Sequence, residues 1–392
     1  MQEPLESLHP SLRTWSHRKI FLTGATGLIG GQVLYEMLRL PQVDEVVCLV
    51  RPADGHTGME RLSKRLKKCG VKGERLEKGL SRVRCAEGSL TSSLWGLSPS
   101  DLDWVRNEAD LFIHCAASTS FVDTQSCEAI NVDGTRHMLD VVAGAKKLRR
   151  LVHFSTATVC GCLPNRVITE DESLPMSANH VFAYTRTKAE SERILWAAAD
   201  RLPLLVVRPS VTMAWPGRDR KQAKLFLWGM IAMARLPYVP VSREGYLDVV
   251  TLDFVVQSTM RLIARGDRLA HRCYHLTAGR RFSNSCGEIQ DTAYATSRLD
   301  KLPVAIPAEE WDETHEQAIE DAGLTTLYEA LQVLLPYTNL NLVYDNTRLI
   351  EELGEDFPHL PRFTEYLSKM IATIDPDLVA ASPAPGGETL GA

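Results

Sequence analysis

Thr23-Gly24-Ala25-Thr26-Gly27-Leu28-Ile29-Gly30 follows directly on the apolar run Lys19–Leu22. The order strand, glycine-rich turn, helix decides the fold. In the spacing G-x-x-G-x-x-G the three glycines do different things. Gly24 permits a tight turn, Gly27 lets backbone N–H groups approach a pyrophosphate, and Gly30 lets the next helix pack closely on the sheet. The positive end of that helix then faces the phosphates, with Thr26, Leu28 and Ile29 completing the cradle. Ile29, Val33 and Met37 form one helical stripe, with Leu34 and Leu38 beside it. A plain βα turn needs only one glycine, so three in this context point to a dinucleotide.

Further along, Val46–Val50 is a continuous apolar run, as expected of a strand buried on both faces. Val83–Ala86, Leu111–Cys115, Leu151–Phe154 and Leu204–Val207 repeat the pattern, with helix-length segments between them. Six strands alternating with helices predict an α/β Rossmann fold, a doubly wound parallel sheet with right-handed crossovers. After Pro209 the rhythm changes. Leu252–Ile263 reads as a helix and Tyr274–Leu276 as a last strand, and from Gly279 onward the pattern is mainly helical. The expected organisation is a lead-in over 1–17, a cofactor-binding domain over 18–210 plus 246–279, and a smaller, mainly helical C-terminal substrate domain over 211–245 plus 280–375. A disordered tail over 376–392 ends in the Ala-, Pro- and Gly-rich Ala380–Ala392.

The second strand ends at Leu49-Val50-Arg51. An NAD site places Asp or Glu about 20 residues beyond the glycines for the ribose hydroxyls. Arg51 instead offers a fork that matches a 2′-phosphate, which predicts NADPH (NADP+) as cofactor; the bland alternative is a solvent-facing arginine at a strand end.

Composition excludes several classes. The 392 residues are 44% hydrophobic and 24% charged, an ordinary globular balance, and the net charge of -5 gives no basic excess for nucleic acid. Nine cysteines, an odd number partly inside apolar runs, suggest reduced thiols. Cys160 and Cys162 are two apart with no second Cys or His pair nearby, so no metal is expected. Met1–Trp15 has no apolar signal segment, and the longest apolar candidate, Leu225–Leu236, is interrupted by Arg235. A cytoplasmic protein without a membrane span is expected.

Tyr184-Thr185-Arg186-Thr187-Lys188 runs into Ala189-Glu190-Ser191-Glu192 and reads as a helix, which puts the phenol and the ammonium on one face. A free tyrosine, with a pKa of about 10, is a poor base at neutral pH, and a nearby cation lowers that value. The tuned phenol can give a proton to a carbonyl oxygen as hydride arrives. About thirty residues upstream the fifth strand ends in Ser155-Thr156-Ala157-Thr158-Val159-Cys160-Gly161, which offers a hydroxyl to the same oxygen. Asn131-Val132-Asp133-Gly134-Thr135 begins another helix and offers an amide.

Together with His114-Cys115-Ala116-Ala117 and Arg208-Pro209-Ser210, these elements resemble the extended short-chain dehydrogenases/reductases over roughly residues 18 to 276. The resemblance implies Asn131, Thr156, Tyr184 and Lys188 as a catalytic tetrad, with Thr156 preferred to Ser155 because the family's hydroxyl precedes the Val-x-Gly element by three residues. It implies cofactor contacts from Tyr184 and Lys188, from Ser89, Leu90, Ala116 and Ala117, and at the nicotinamide end from Pro209 and Ser210. Within the superfamily, Leu22–Gly27, Cys48-Leu49-Val50-Arg51, the basic helix Glu60–Leu66, Gly96-Leu97-Ser98 and Phe121 are most similar to thioester reductase domains. These are the terminal reductases of non-ribosomal peptide and polyketide synthases, carboxylic acid reductases and fatty acyl-CoA reductases. Departures are Gly88-Ser89-Leu90 where Gly-Asp-Leu is usual, and Cys160 where Tyr is common.

The resemblance implies NADPH-dependent reduction of an acyl thioester, bound to CoA or to a carrier protein supplied from elsewhere, to an aldehyde or, with a second hydride, to an alcohol. Two alternatives stay open: a reductase, epimerase or dehydratase acting on a small ketone or nucleotide-sugar, and a non-catalytic NADP(H)-binding regulator, against which the intact Tyr184–Lys188 pair argues. Leu225–Pro237 would line an apolar acyl cleft or simply form core, whereas Arg218, Arg220 and Lys221 would suit a diphosphate. The run Arg61, Lys64, Arg65, Lys67 and Lys68 reads as a solvated helix face, or as a landing site for the 2′-phosphate or an acidic carrier. His114 and His153 read as core, and Trp95 and Trp104 as packing anchors.

Overall fold

The computed structural model describes residues 9–52, 55–171, 178–214, 229–230, 232–297, 301–332 and 335–372. Every apolar run singled out above becomes a strand of one seven-stranded sheet: β1 (Lys19–Thr23), β2 (Glu45–Val50), β3 (Val83–Glu87), β4 (Leu111–His114), β5 (Arg150–Phe154), β6 (Leu204–Pro209) and β7 (Cys273–Leu276). The order is β7-β6-β5-β4-β1-β2-β3, all parallel. The strand order reverses at β1, which lies between β2 and β4, and ligands of open α/β sheets bind in the crevice beyond the carboxyl ends at such a switch point.

Alternation along the strands builds two core layers. Ile20, Leu22, Val46, Cys48, Val152 and Leu205 face one side, where α1 (Leu28–Arg39) contributes Val33, Leu34 and Met37. Phe21, Val47, Leu49, Phe112 and Leu151 face the other, against Trp95 and against Met138 and Val141 of α3 (Gly134–Val142). Between these two helices in the chain lies α2 (Gly58–Lys68), whose first turn is fixed by a capping box of Thr57 and Glu60. The anchor reading of Trp95 holds: it is fully buried, stacks near Phe21 and donates its indole N–H to Gly134 O. The remaining helices used below are α4 (Ala183–Ala197), α5 (Leu252–Arg265), α6 (Cys286–Ser297) and α7 (Phe363–Ile371).

Two further apolar clusters lie apart from the sheet. Met213, Met230, Leu247, Val249 and Ile289 pack against Phe363, Tyr366, Leu367 and Met370 of α7. Ala232, Leu236, Val239 and Val241 pack against Ile319, Tyr328, Leu331 and Leu335. Leu349, Leu353 and Leu360 join the main core instead. The later part of the chain also carries short strand pairs: Val304–Ile306 with Tyr238–Pro240, Asn284–Ser285 with Tyr246–Leu247, and Val343–Tyr344 with Val167–Ile168. Pieces of two or three residues are too short to show a period. Arg218, Arg220, Lys221, Leu225–Trp228, Ile231 and the tail 376–392 lie outside the described residues. Among those described, no helix is long and apolar enough to cross a membrane.

Candidate active site

Steric constraints at the first turn are severe. Gly24 has φ +75°, and a Cβ there would lie 2.7 Å from Ala116 N. A Cβ on Gly30 would lie 2.2 Å from the Gly24 carbonyl oxygen. Thr23 locks the same corner from the side: its Oγ1 accepts from the N–H groups of Cys115 and Ala116, both at 3.2 Å, and lies 2.9 Å from His114 Nδ1. The tips of β1 and β4 thereby form the floor of a cleft of about 420 Å³.

Gly24, Thr26, Gly27, Leu28, Ile29, Gly30, Arg51, Ser89, Leu90, Ala116 and Ala117 all line this cleft, as the sequence predicts. Thr212 also lines it and was missed, and so does Arg61, whose basic run the sequence offered as a landing site for the 2′-phosphate. Arg61 donates to the Arg51 carbonyl at 2.6 Å, so two guanidinium groups stand at the end of β2. The basic run is thus divided by helical geometry. Arg61 turns to the cleft; Arg65 is buried, donating to Leu28 O at 3.1 Å; Lys64, Lys67 and Lys68 are exposed. Only the last three fit the solvated-face reading. Pro209 and Ser210 are buried rather than set in the cleft wall: Ser210 Oγ donates to Asp248 Oδ1 at 2.5 Å, and Thr212 takes the lining position.

The second constellation hangs on α4. Phe182 caps the helix and stacks on Phe121 with centroids 4.4 Å apart, which fixes the approach to Tyr184. The Tyr184 hydroxyl stands beside Thr156, whose Oγ1 lies 2.9 Å from Thr158 Oγ1. Ser155 Oγ is buried without a partner, which favours Thr156 as the hydroxyl of this site. Lys188 donates to Phe154 O at 2.7 Å and lies 3.1 Å from His153 Nε2. Burial lowers Lys188 to about 8, against the pull of Glu192 in the other direction. Burial likewise pushes Tyr184 up to about 12, with neighbouring Thr156 working against it.

Beneath Lys188, Glu192 and Arg208 form a buried pair, 0% and 1% exposed. Arg208 Nη2 and Nε reach the carboxylate at 2.6 and 2.9 Å. Asn131 does not begin a helix, as its sequence context suggests. It sits in a π-helical turn, Glu128–Asp133, that runs on into α3. Such turns recur at functional sites. Its amide donates to Ser118 O and Thr187 Oγ1, both at 3.0 Å, and accepts from Ser118 N at 2.8 Å. Those bonds occupy the side chain in bracing the loop after β4 against α4. His153, read as core, is buried in β5 and is also a neighbour of Lys188.

The chain is 26% identical to the nonribosomal peptide synthetase asaC of Aspergillus flavus over 81% of this chain and 31% of that protein. It is 27% identical to fatty acyl-CoA reductase 2 of Mus musculus over 74% of this chain and 63% of that protein. It therefore spans about a third to two thirds of the length of these relatives. The crystal structure of the terminal R domain from the myxalamid PKS-NRPS biosynthetic pathway shares the fold, with a TM-score of 0.75 at 23% identity over 91% of this chain and 90% of that one. Residues 22–259 match the male sterility protein model, and the chain belongs to that NAD-binding family, a group of NAD(P)H-dependent reductases of the extended short-chain dehydrogenase/reductase type.

Proposed function

We propose that this chain reduces an acyl thioester to an aldehyde, and the aldehyde in turn to an alcohol, with NADPH as reductant. The observation that carries the reading is Tyr184 set beside Thr156, with Lys188 bonded to the Phe154 carbonyl, on the same sheet edge as the glycine-lined cleft. The cleft fits a dinucleotide, because a Cβ at Gly24 or Gly30 would collide with the backbone that shapes it. Gly24–Gly30 would hold the pyrophosphate, and Arg51 with Arg61 the 2′-phosphate. The bound cofactor supplies hydride.

Tyr184 and Thr156 hydrogen-bond the substrate carbonyl oxygen and stabilise the charge that develops there. A phenol at about 12 stays protonated throughout the neutral range, so Tyr184 serves as a proton donor in the reductive direction. Departure of the thiol leaves the aldehyde. Lys188 keeps a positive charge at this edge, and Asn131 holds the surrounding loop and helix in register. The two apolar clusters apart from the sheet are assigned to a substrate domain that receives the acyl part.

A carrier-protein thioester is the favoured donor, given a synthetase among the relatives. A cytoplasmic setting is supported by an odd number of cysteines, nine, several of them buried. The test is NADPH consumption with an acyl-CoA, a carrier-bound acyl thioester, a simple aldehyde and a nucleotide-sugar in parallel. Turnover of the thioesters and the aldehyde is expected. Turnover of the nucleotide-sugar alone overturns the proposal.

A further inference from the structure

His153 occupies the middle of β5, between Val152 and Phe154, and is fully buried. An aliphatic residue would be cheaper there. The imidazole stacks on His114 at 5.4 Å, which stacks on Trp95 at 5.5 Å. Its Nδ1 has no hydrogen-bond partner, and an unsatisfied buried polar atom costs about 1–3 kcal/mol. What this destabilising residue gains is one contact, Nε2 to Lys188 Nζ at 3.1 Å. An ammonium has three donors and no acceptor, so Nε2 must accept and the ring proton must sit on Nδ1.

We infer that His153 is a positioning residue for Lys188: a neutral acceptor that, with the Phe154 carbonyl, fixes two of the three ammonium hydrogens and leaves the third for the reaction site. A carboxylate in this place would cancel the charge; an imidazole supports the ammonium without neutralising it. The inference rests on the reading of Lys188 as a catalytic-site cation. The titratable groups around Lys188 are Tyr184 and Glu192 on its own helix, Cys115 at the end of β4, and His153 on β5, with His114 behind the imidazole. Arg208 on β6 pairs with Glu192. His153 is held well below its ordinary value by burial, then by Lys188 and His114, so it stays neutral across the working range.

The test compares the full chain with His153→Phe, which keeps a stacking ring and removes the acceptor, and His153→Gln, which restores one. Lys188→Ala serves as reference. Lys188 titration is read by NMR of labelled lysine in the cofactor-free protein, and kcat against pH in parallel. Loss of a charge-assisted acceptor should move the Lys188 titration down by about one pH unit in His153→Phe, and the alkaline limb of kcat with it. His153→Gln should recover most of that shift. A folded His153→Phe with an unmoved lysine titration overturns the inference, as does a His153→Gln that behaves like His153→Phe. Full activity in Lys188→Ala refutes the catalytic reading instead, while the NMR arm still decides the contact.

Discussion

Replacing Glu192 by Gln removes one charge and almost no volume, from a site where burial decides the energy. The carboxylate and the Arg208 guanidinium are 0% and 1% exposed, with contacts at 2.6, 2.9 and 3.2 Å. An exposed pair of this kind contributes roughly 0.2–1 kcal/mol. A buried pair broken on one side costs about 3–5 kcal/mol, because the remaining charge is stranded out of water. Among the described residues Arg208 has only the Asp171 carbonyl, at 3.3 Å, as a second acceptor, so little among them can compensate. With a urea slope of about 3 kcal/mol/M, the unfolding midpoint of Glu192→Gln should fall by roughly 1 M or more. The double variant Glu192→Leu, Arg208→Met should recover most of the loss, since paired apolar replacements of buried ion pairs are often neutral. Lys188 should also deprotonate at lower pH in Glu192→Gln, because Glu192 is the group that raises it. A midpoint shift worth less than about 1 kcal/mol would refute the reasoning, since it would mean that water reaches the pair.

Tyr184→Phe deletes the proton donor and keeps the ring; kcat should fall about 100-fold or more with NADPH affinity retained, and full activity would remove Tyr184 from the mechanism. Arg51→Asp should weaken NADPH far more than NADH in fluorescence titrations, and equal losses would show that the 2′-phosphate does not sit there. Glu170 is buried, and desolvation raises it from 4.5 to about 7 despite the backbone N–H of His275. The folded state therefore holds a proton that the unfolded chain gives up over that window, and this contribution to stability is lost as pH rises through it. Glu170→Gln should flatten the dependence of the denaturation midpoint between about pH 5 and 7; an unchanged slope would assign it to other groups.

The sheet and the phosphate turn were legible because their physics is local. A strand buried on both faces is mostly apolar, and a turn with φ +75° and backbone atoms where a Cβ would stand must be glycine. Thr212 was not legible, and Arg61 could not be singled out within its basic run, because what brings them to the cleft is tertiary. Arg61 differs from Lys64 and Lys67 only by which side of α2 faces β2, and a charge run does not state that side. The π turn at Asn131 was hidden for a related reason. Its register is set by three hydrogen bonds to Ser118 and Thr187, residues 13 and 56 positions away. His153 looked like core because it is core; its second role depends on a lysine 35 positions further along the chain.

The directions of the two shifts in the site bear on which reaction the fold favours. A phenolate base would need the cation to dominate over burial, as the bare Y-x-x-x-K spacing suggests. Here burial dominates at both residues, raising Tyr184 and lowering Lys188. The same desolvation keeps the phenol protonated and leaves the lysine close to losing its charge. A proton donor beside a weakly held cation suits a step in which negative charge appears on a carbonyl oxygen and is quenched at once. On our reading the acceptors around Lys188 are then what keep the cation charged at neutral pH. Phe154 O and His153 do so by hydrogen bonding and Glu192 by its charge, so the interior of β5 and the second turn of α4 belong to the chemistry as much as the hydroxyls that touch the substrate.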